Sequence, residues 1–198
     1  MLFLEEIMKT PLRYQITEYD CGSVSLINCI TYLKNRKEIP PMLIKMIWQT
    51  TLDLNDEDGH IGVRDTSTQA MQEISDYINK HSEFGLSSQV FKNAQVDMEN
   101  ISKILNDGGV INFRIKDLWN VEHYIMITQM DDDWVYVWDP YYCNKNDIKN
   151  ENIEICNQNQ FNYNIKIKRI YFASNSDTYS INSANQIEML AMFNKKGE

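Results

Sequence analysis

Residues 14–33 read YQITEYDCGSVSLINCITYL, in which a polar turn is followed at once by an apolar segment. The apolar positions of this segment share a spacing of three residues: Val24, Ile27, Ile30 and Leu33. This spacing is typical of one face of an amphipathic helix of about four turns. Cys21 and Gly22 stand at the start of the predicted helix, and Gln15 lies six residues before the cysteine. The stretch therefore places a thiol at a helix N-terminus, after a turn that carries an amide side chain.

The composition of the 198-residue chain is that of an ordinary globular domain, with 43% apolar and 24% charged residues. The formal net charge is −9, and no basic stripe is interleaved with aromatic residues, which argues against nucleic acid as a partner. No apolar run approaches the ~20 residues of a membrane-spanning helix. Glu5 and Glu6 interrupt the region that a signal peptide would need to be apolar. We therefore expect a cytoplasmic protein without a transmembrane segment.

The four cysteines are too few for a disulfide scaffold in a chain of this length, and no CxxC pair indicates a zinc ribbon. They are Cys21, Cys29, Cys143 and Cys156. Most are expected to be free thiols, with Cys29 in the helical core. A disulfide between Cys143 and Cys156 is a lesser alternative.

The first half of the chain has helical patterns and the second half has strand patterns. Further helices are predicted from Pro40 and Pro41, over 67–81 with Thr66 and Gln69 as a capping box, and over 97–106. Strands are predicted over 110–115, 123–130, 134–139 and 161–172. This order predicts the α+β class, with N-terminal helices packed on a C-terminal antiparallel sheet. The predicted domain spans 1–175, and 176–198 is predicted to be a linker and a short C-terminal helix, packed on or trailing that domain.

Cys21 has the position that a nucleophilic thiol requires. A thiol attacks carbonyl groups as the thiolate, and the unpaired N–H groups at a helix N-terminus favour negative charge. Gly22 would allow another backbone segment to approach closely and would leave room beside the sulfur. A buried structural thiol is the alternative, since free cysteines are among the most buried residues.

A nucleophilic thiol needs an imidazole partner, and the imidazole needs a group that orients it. His123 opens one predicted strand, and Asp139 ends the next strand after the short turn DDD at 131–133. Their separation is even, so period-2 geometry predicts that the two side chains share one face of the hairpin. The side-chain amide of Gln15, together with the backbone N–H of Cys21, is a candidate oxyanion hole.

These segments, Q-x4-D-C-G at 15–22, H-Y-I-M-I at 123–127 and W-D-P at 138–140, resemble the papain-like bacteriocin-processing peptidases. The resemblance covers about residues 11–142 and implies a papain-like fold. It also implies that Cys21 is the nucleophile, His123 the general base and acid, Asp139 the orienting group and Gln15 the oxyanion donor. Enzymes of this family cut leader peptides after a double glycine, and many are fused to a membrane transporter. A peptide or protein substrate and association with a transporter are therefore implied, and no cofactor or metal is.

Two other functions use or retain the same residues. In an acyltransferase, an amine instead of water would resolve the acyl-enzyme formed on Cys21. In a pseudoenzyme, the protein would bind a leader peptide without cutting it. The sequence leaves the substrate and the oligomeric state open.

Several polar residues near these motifs have structural interpretations. Asp20 is expected either to face away from the sulfur and cap the helix, or to have its charge outweighed by the helix dipole and the imidazolium. The acidic loop 53–60, DLNDEDGH, does not fit an EF-hand, and a solvated loop is preferred to a metal site at His60. His81 follows a helix as a C-terminal cation. Trp119, in the loop before His123, is a candidate for the substrate cleft or a further core aromatic.

Overall fold

A computed structural model describes residues 9–35, 38–60, 62, 64–144, 147–157 and 159–195. The helices are α1 (Cys21–Lys34), α2 (Pro41–Thr51), α3 (Thr68–Lys80), α4 (Met98–Asn106) and the short α5 (Arg169–Phe172). The strands are β1 (Leu86–Lys92), β2 (Val110–Lys116), β3 (Glu122–Met130), β4 (Trp134–Trp138), β5 (Ile153–Ile155), β6 (Ile165–Lys168) and β7 (Glu188–Asn194). The seven strands form one antiparallel sheet in the order β1-β7-β2-β3-β4-β6-β5.

Both faces of the sheet are covered, and α1 lies against one of them. On that face α1, α2 and α3 pack over a layer that includes Tyr124, Met126 and Trp138. Residues from Cys21 to Thr31 are all buried, so α1 is a core helix and not a surface helix with one wet side. The opposite face is covered by α4, by α5 and by the segment that carries Tyr179 and Ile181. The sheet is therefore the middle layer of the domain.

The helix starts agree with the predicted signals, with one correction. Proline occupies the first turn of α2, and Asp97 caps α4 by accepting from the N–H of Asn100 at 2.7 Å. For α3 the N-cap is Ser67, whose Oγ accepts from the N–H of Ala70 at 3.1 Å, so the predicted capping box of Thr66 and Gln69 is wrong by one residue. Thr66 is instead buried against α1.

The C-terminal segment that was predicted as a helix is a strand. β7 pairs with β1 on one side and with β2 on the other, so it is an interior strand of the sheet. Its apolar residues are buried on both faces, with Met189 and Ala191 on one and Leu190 and Met192 on the other. A strand buried on both sides has an unbroken apolar run, whose period does not distinguish it from a short helix.

The strand predicted over 161–172 is shorter than expected. Only Ile165–Lys168 is a strand, because the chain turns into the helical segment Arg169–Phe172 directly afterwards. The strands Leu86–Lys92 and Ile153–Ile155 were not predicted. The three central strands β2, β3 and β4 agree with the prediction to within one residue at each end.

The hairpin of β3 and β4 contains a β-bulge at Thr128. Its turn has a two-residue loop, because Asp131 N–H donates to Trp134 O at 2.9 Å. The register shifts by one residue between Ile127 and Gln129. Beyond the bulge Ile127 opposes Val137 and Met126 opposes Trp138, and the next step along this register places Asp139 opposite Ile125. His123 follows two residues along β3, so His123 and Asp139 are diagonal neighbours on one face.

Candidate active site

Cys21 is the first residue of α1, and its side chain is a free thiol that is only 5% exposed. The first turn of α1 is closed by Val24 N–H, which donates to Asp20 O at 2.9 Å. The helix is fixed to β3 by Ser25 Oγ, which donates to Tyr124 O at 2.9 Å. Gly22 lies against the side chain of Thr66, so the prediction that a backbone segment approaches this glycine is wrong. The start of α1 is thus held in place beside the first residues of β3.

Asp20 is buried at the helix start, but it does not cap the helix. Its two carboxylate oxygens accept from the backbone N–H groups of Ile16 at 3.1 Å and Thr17 at 3.0 Å. It makes no side-chain capping hydrogen bond to α1, so the capping interpretation is wrong. The carboxylate instead closes the polar turn between Gln15 and Cys21.

Gln15 is positioned by the same turn and by the end of the hairpin. Its backbone N–H donates to Pro140 O at 2.8 Å, which ties it to the residue after Asp139. Its side-chain Nε2 donates to Thr17 O at 2.8 Å. An amide nitrogen has two hydrogens, so the second N–H is available to a bound carbonyl oxygen. The buried Oε1 atom has no hydrogen-bond partner among the described residues.

His123 and Asp139 form the hydrogen-bonded pair that the hairpin predicted. Nε2 of His123 and Oδ1 of Asp139 are 2.8 Å apart, and both side chains are buried. Cys21 is close enough to the same imidazole to help raise its pKa. Because Asp139 occupies Nε2, the remaining ring nitrogen, Nδ1, is the one available to the thiol. The structure therefore brings Cys21, His123 and Asp139 together, with Gln15 in the same cleft.

The surroundings of His123 favour its charged form. Burial by itself lowers the pKa of the imidazole, but the charge of Asp139 and the interaction with Cys21 outweigh burial. The pKa of His123 is therefore raised well above its ordinary value. An imidazolium at this position can stabilise a thiolate and can donate a proton to a leaving group.

This shift predicts a pH-dependent contribution of His123 to stability. Because the pKa of His123 is higher in the folded protein than in the unfolded chain, the protonated imidazole stabilises the fold. This stabilisation is complete below the unfolded pKa, near 6.5, and is lost as the pH rises through the folded pKa. The free energy of unfolding of the wild type, minus that of His123→Gln, should fall with pH in this window by about 1.4 kcal/mol per pH unit. Urea unfolding between about pH 6 and pH 9 measures the difference. A difference that does not change with pH would show that His123 titrates normally.

Two residues that support Asp139 were not identified from the sequence. Tyr179 donates its hydroxyl to Oδ2 of Asp139. Asn164 holds the Asp139 backbone from both sides, accepting from its N–H and donating to its carbonyl oxygen, each at 2.7 Å. No local sequence pattern marks either residue as part of the site. Asn164 immediately precedes β6, and Tyr179 lies in a serine- and asparagine-rich segment that was interpreted as a linker. Only the three-dimensional structure brings them to the end of β4.

The cleft beside His123 has a volume of about 430 Å³. Its lining includes Gln15, Glu18, Tyr19, Arg64, Asp117, Trp119, His123 and Tyr141. Trp119 is 53% exposed and packs edge to face with Tyr141, with the ring centroids 5.0 Å apart. Trp119 is therefore a cleft residue, whereas Trp138 is fully buried in the core. A second groove adjoins the first, and Gln15, Glu18 and Tyr141 line both.

The other sequence candidates lie outside this site. The exposed acidic loop brings one side-chain oxygen or nitrogen atom from each of Asp56, Asp58 and His60 within 4.8 Å of the others. In this loop His60 Nδ1 is 2.7 Å from Oδ2 of Asp56. His81 follows α3 and pairs with Glu83 at 2.7 Å. Cys143 is a free thiol, so the alternative of a disulfide between Cys143 and Cys156 is wrong. Cys29 is fully buried in the core, as predicted.

The sequence identifies the family of the chain, and the structure identifies a fold that is shared with a solved protein. The chain belongs to the Peptidase_C39 like family, whose model matches residues 7–169. The structure is also similar to the crystal structure of a candidate C39-like peptidase from Bacillus anthracis, with a TM-score of 0.51 and 13% identity over 98% of each chain. At this identity the similarity shows a shared fold. No curated protein sequence matched the chain.

These comparisons confirm the family resemblance and the α+β class that were predicted from the sequence. Within the described part of the chain, no helix is long and apolar enough to cross a membrane.

Proposed function

We propose that this protein is a cysteine peptidase that cleaves a peptide bond through a Cys21–His123–Asp139 triad. The observation that carries the proposal is the position of His123, whose imidazole interacts with the thiol of Cys21 and lies 2.8 Å from Asp139. Membership of a peptidase-like family supports the same reaction class.

The reaction follows from the roles that these groups can take. The sulfur of Cys21 attacks the carbonyl carbon, and the oxyanion is stabilised by the Cys21 N–H and by the Gln15 amide. The imidazolium of His123 gives its proton to the leaving nitrogen as the carbon–nitrogen bond breaks. Neutral His123 then takes a proton from water, which attacks the thioester and releases the carboxylic acid. The sulfur leaves as thiolate, so the thiolate of Cys21 and the imidazolium of His123 are restored. Asp139 keeps the imidazole oriented through both halves of the cycle.

The proposed substrate is a peptide with small residues at the cleavage site, such as a leader that ends in a double glycine. Resemblance to the bacteriocin-processing peptidases motivates this choice. The ring pair of Trp119 and Tyr141 supports it, since bulky rings beside His123 favour residues with small side chains next to the scissile bond. Association with a transporter belongs to the same proposal.

Alkylation by iodoacetamide tests the proposed nucleophile without a known substrate. At pH 6, we expect Cys21 to react at least about tenfold faster than the other cysteines, because thiolates and not thiols react. Burial raises the pKa of Cys29, and burial together with nearby carboxylates raises that of Cys143 to about 12. Cys156 is partly exposed and serves as the internal reference. Tandem mass spectrometry of tryptic peptides gives the four rates, because fragmentation separates Cys21 from Cys29 within the peptide 14–34.

The variant His123→Gln is the matched control, since it retains the thiol and removes the imidazole. Its Cys21 should react at about the rate of Cys156. Equal alkylation of all four cysteines in the wild type at pH 6 would contradict the proposed function. Addition of candidate amines to a turnover assay separates hydrolysis from acyl transfer, because transfer would give an amide product.

A further inference from the structure

Tyr179 lies between α5 and β7, in a segment outside residues 7–169 that the family model matches. The side chain is fully buried in the core layer on the opposite face of the sheet from α1. It reaches the triad from that opposite face. The match to the family model therefore says nothing about the role of Tyr179.

The hydroxyl of Tyr179 completes the coordination of the Asp139 carboxylate. Oδ1 accepts from the backbone N–H of Tyr141 at 2.7 Å and lies 2.8 Å from Nε2 of His123. Oδ2 accepts the hydroxyl of Tyr179. With a donor on each oxygen, the carboxylate cannot rotate about its terminal bond without breaking a hydrogen bond. The oxygen that faces His123 is thereby fixed.

The backbone at Tyr179 is in a conformation that aromatic residues rarely adopt. Its φ angle is +46°, in the left-handed region. The other non-glycine residues with positive φ among the described residues are Asn35, Asp65, Asn93 and Asn120. Asparagine and aspartate tolerate this region far better than tyrosine does. Strained residues of this kind cluster at functional sites, where the surrounding structure holds them.

The surrounding structure does hold Tyr179 in this conformation. Its backbone N–H donates to Lys116 O at 2.8 Å, which ties the segment to the end of β2. Lys116 N–H donates in turn to Ser183 Oγ at 3.0 Å, and Ile181 N–H donates to Phe172 O at 2.8 Å. These bonds hold Tyr179 and the residues after it against the end of β2 and against α5.

We propose that Tyr179 is a positioning residue of the triad, which acts by holding the carboxylate of Asp139 in the orientation that His123 requires. The proposal rests on the proposed peptidase function. Its effect on catalysis passes through Asp139 and the imidazole, because the hydroxyl contacts the carboxylate and not the thiol.

The consequence of losing this hydroxyl is a weaker ion pair between His123 and Asp139. Without the hydroxyl, Oδ2 loses its donor, and the carboxylate is free to turn away from Nε2 of His123. The imidazolium is then held less firmly beside the sulfur and stabilises a thiolate less well. The titratable groups that face Asp139 are Tyr14, Asp117, His123, Cys143 and Tyr179. Asp117 and Cys143 stay unchanged in the variants below.

The test compares Tyr179→Phe with Tyr136→Phe in full-length protein. Both substitutions keep the ring and remove a hydroxyl that donates to an aspartate, Asp139 in the first case and Asp131 of the exposed hairpin turn in the second. We measure the rate at which iodoacetamide alkylates Cys21 as a function of pH. For Tyr179→Phe, the rate at about pH 6 should fall about tenfold, the equivalent of one hydrogen bond to a charged group. At pH 9, where thiols ionise without help, the rate should be unchanged. Tyr136→Phe should match the wild type throughout.

A double-mutant cycle separates positioning from a general effect on folding. In an Asp139→Asn background the hydroxyl has no carboxylate to hold, so adding Tyr179→Phe should leave the alkylation rate at pH 6 unchanged. Equal losses with and without Asp139 would overturn the positioning role, and so would a Tyr179→Phe profile identical to that of the wild type. If wild-type Cys21 itself has no advantage at pH 6, the proposed function fails and this role fails with it.

Discussion

Substituting alanine for Cys21 is expected to reduce kcat/KM for peptide hydrolysis by on the order of 10⁴-fold or more. The substitution removes the sulfur that attacks the carbonyl carbon, while the cleft, the Gln15 amide and the His123–Asp139 pair stay in place. The loss in stability should be about 1 kcal/mol, because one buried atom is removed from a side chain at a helix end. Hydrolysis of a peptide library with small residues at the scissile bond measures the activity, and urea unfolding measures the stability.

Cys156→Ala is the matched control for the loss of a thiol. Cys156 is partly exposed and lies in a different groove of the molecule, so its removal should leave kcat/KM unchanged. Residual hydrolysis by Cys21→Ala at more than a few percent of the wild-type rate would show that another group attacks the substrate. Loss of activity in Cys156→Ala would point to a general effect of removing thiols.

Gly22→Ala is expected to have the second largest effect, through the position of the nucleophile. A Cβ atom on Gly22 would lie 2.2 Å from Oγ1 and 2.8 Å from Cβ of Thr66, distances at which atoms overlap. Either α1 or the segment before α3 must move. Overpacking of this kind costs about 1–3 kcal/mol, and a displacement of the nucleophile by about 1 Å can cost on the order of 10²-fold in rate.

The predicted loss of stability in Gly22→Ala is informative, because helix propensity by itself would make this variant more stable. Alanine is more favourable than glycine inside a helix by about 1 kcal/mol, so without the clash the variant would be more stable than the wild type. Adding Thr66→Gly removes the overlapping side chain and should restore most of the activity and stability. A Gly22→Ala variant that is as stable and as active as the wild type would contradict the packing described for the start of α1.

The parts of the site that the sequence predicts are those with local signals. Cys21 follows a polar turn and begins an apolar helix. His123 and Asp139 share one face as the residue count predicted, although a two-residue loop with a bulge replaces the predicted turn at 131–133. Gln15 was placed in the cleft by its distance from Cys21. In each case a short-range pattern, a helix start or a strand period, determines where the side chain lies.

The parts that were missed depend on long-range packing. β7 is an interior strand because β1 and β2 cover both of its edges, and a run such as EMLAMF does not contain that information. Tyr179 reaches Asp139 only because its segment docks beside β2. The N-cap of α3 differs by one residue from the prediction because Thr66 is needed against Gly22, which leaves Ser67 to cap the helix.

The β-bulge at Thr128 makes the triad depend on the number of residues in the hairpin. Without the bulge, the register that pairs Met130 with Val135 would continue along both strands. Asp139 would then lie opposite Met126, and its carboxylate would point to the face of the sheet that α1, α2 and α3 cover. The extra residue of the bulge moves the side chain of Asp139 to the opposite face, where His123 lies. Deletion of one residue at the bulge and insertion of one residue in the turn should therefore compensate for each other. Homologous hairpins with different turns can keep the same pair of catalytic side chains when the total count between them has the right parity.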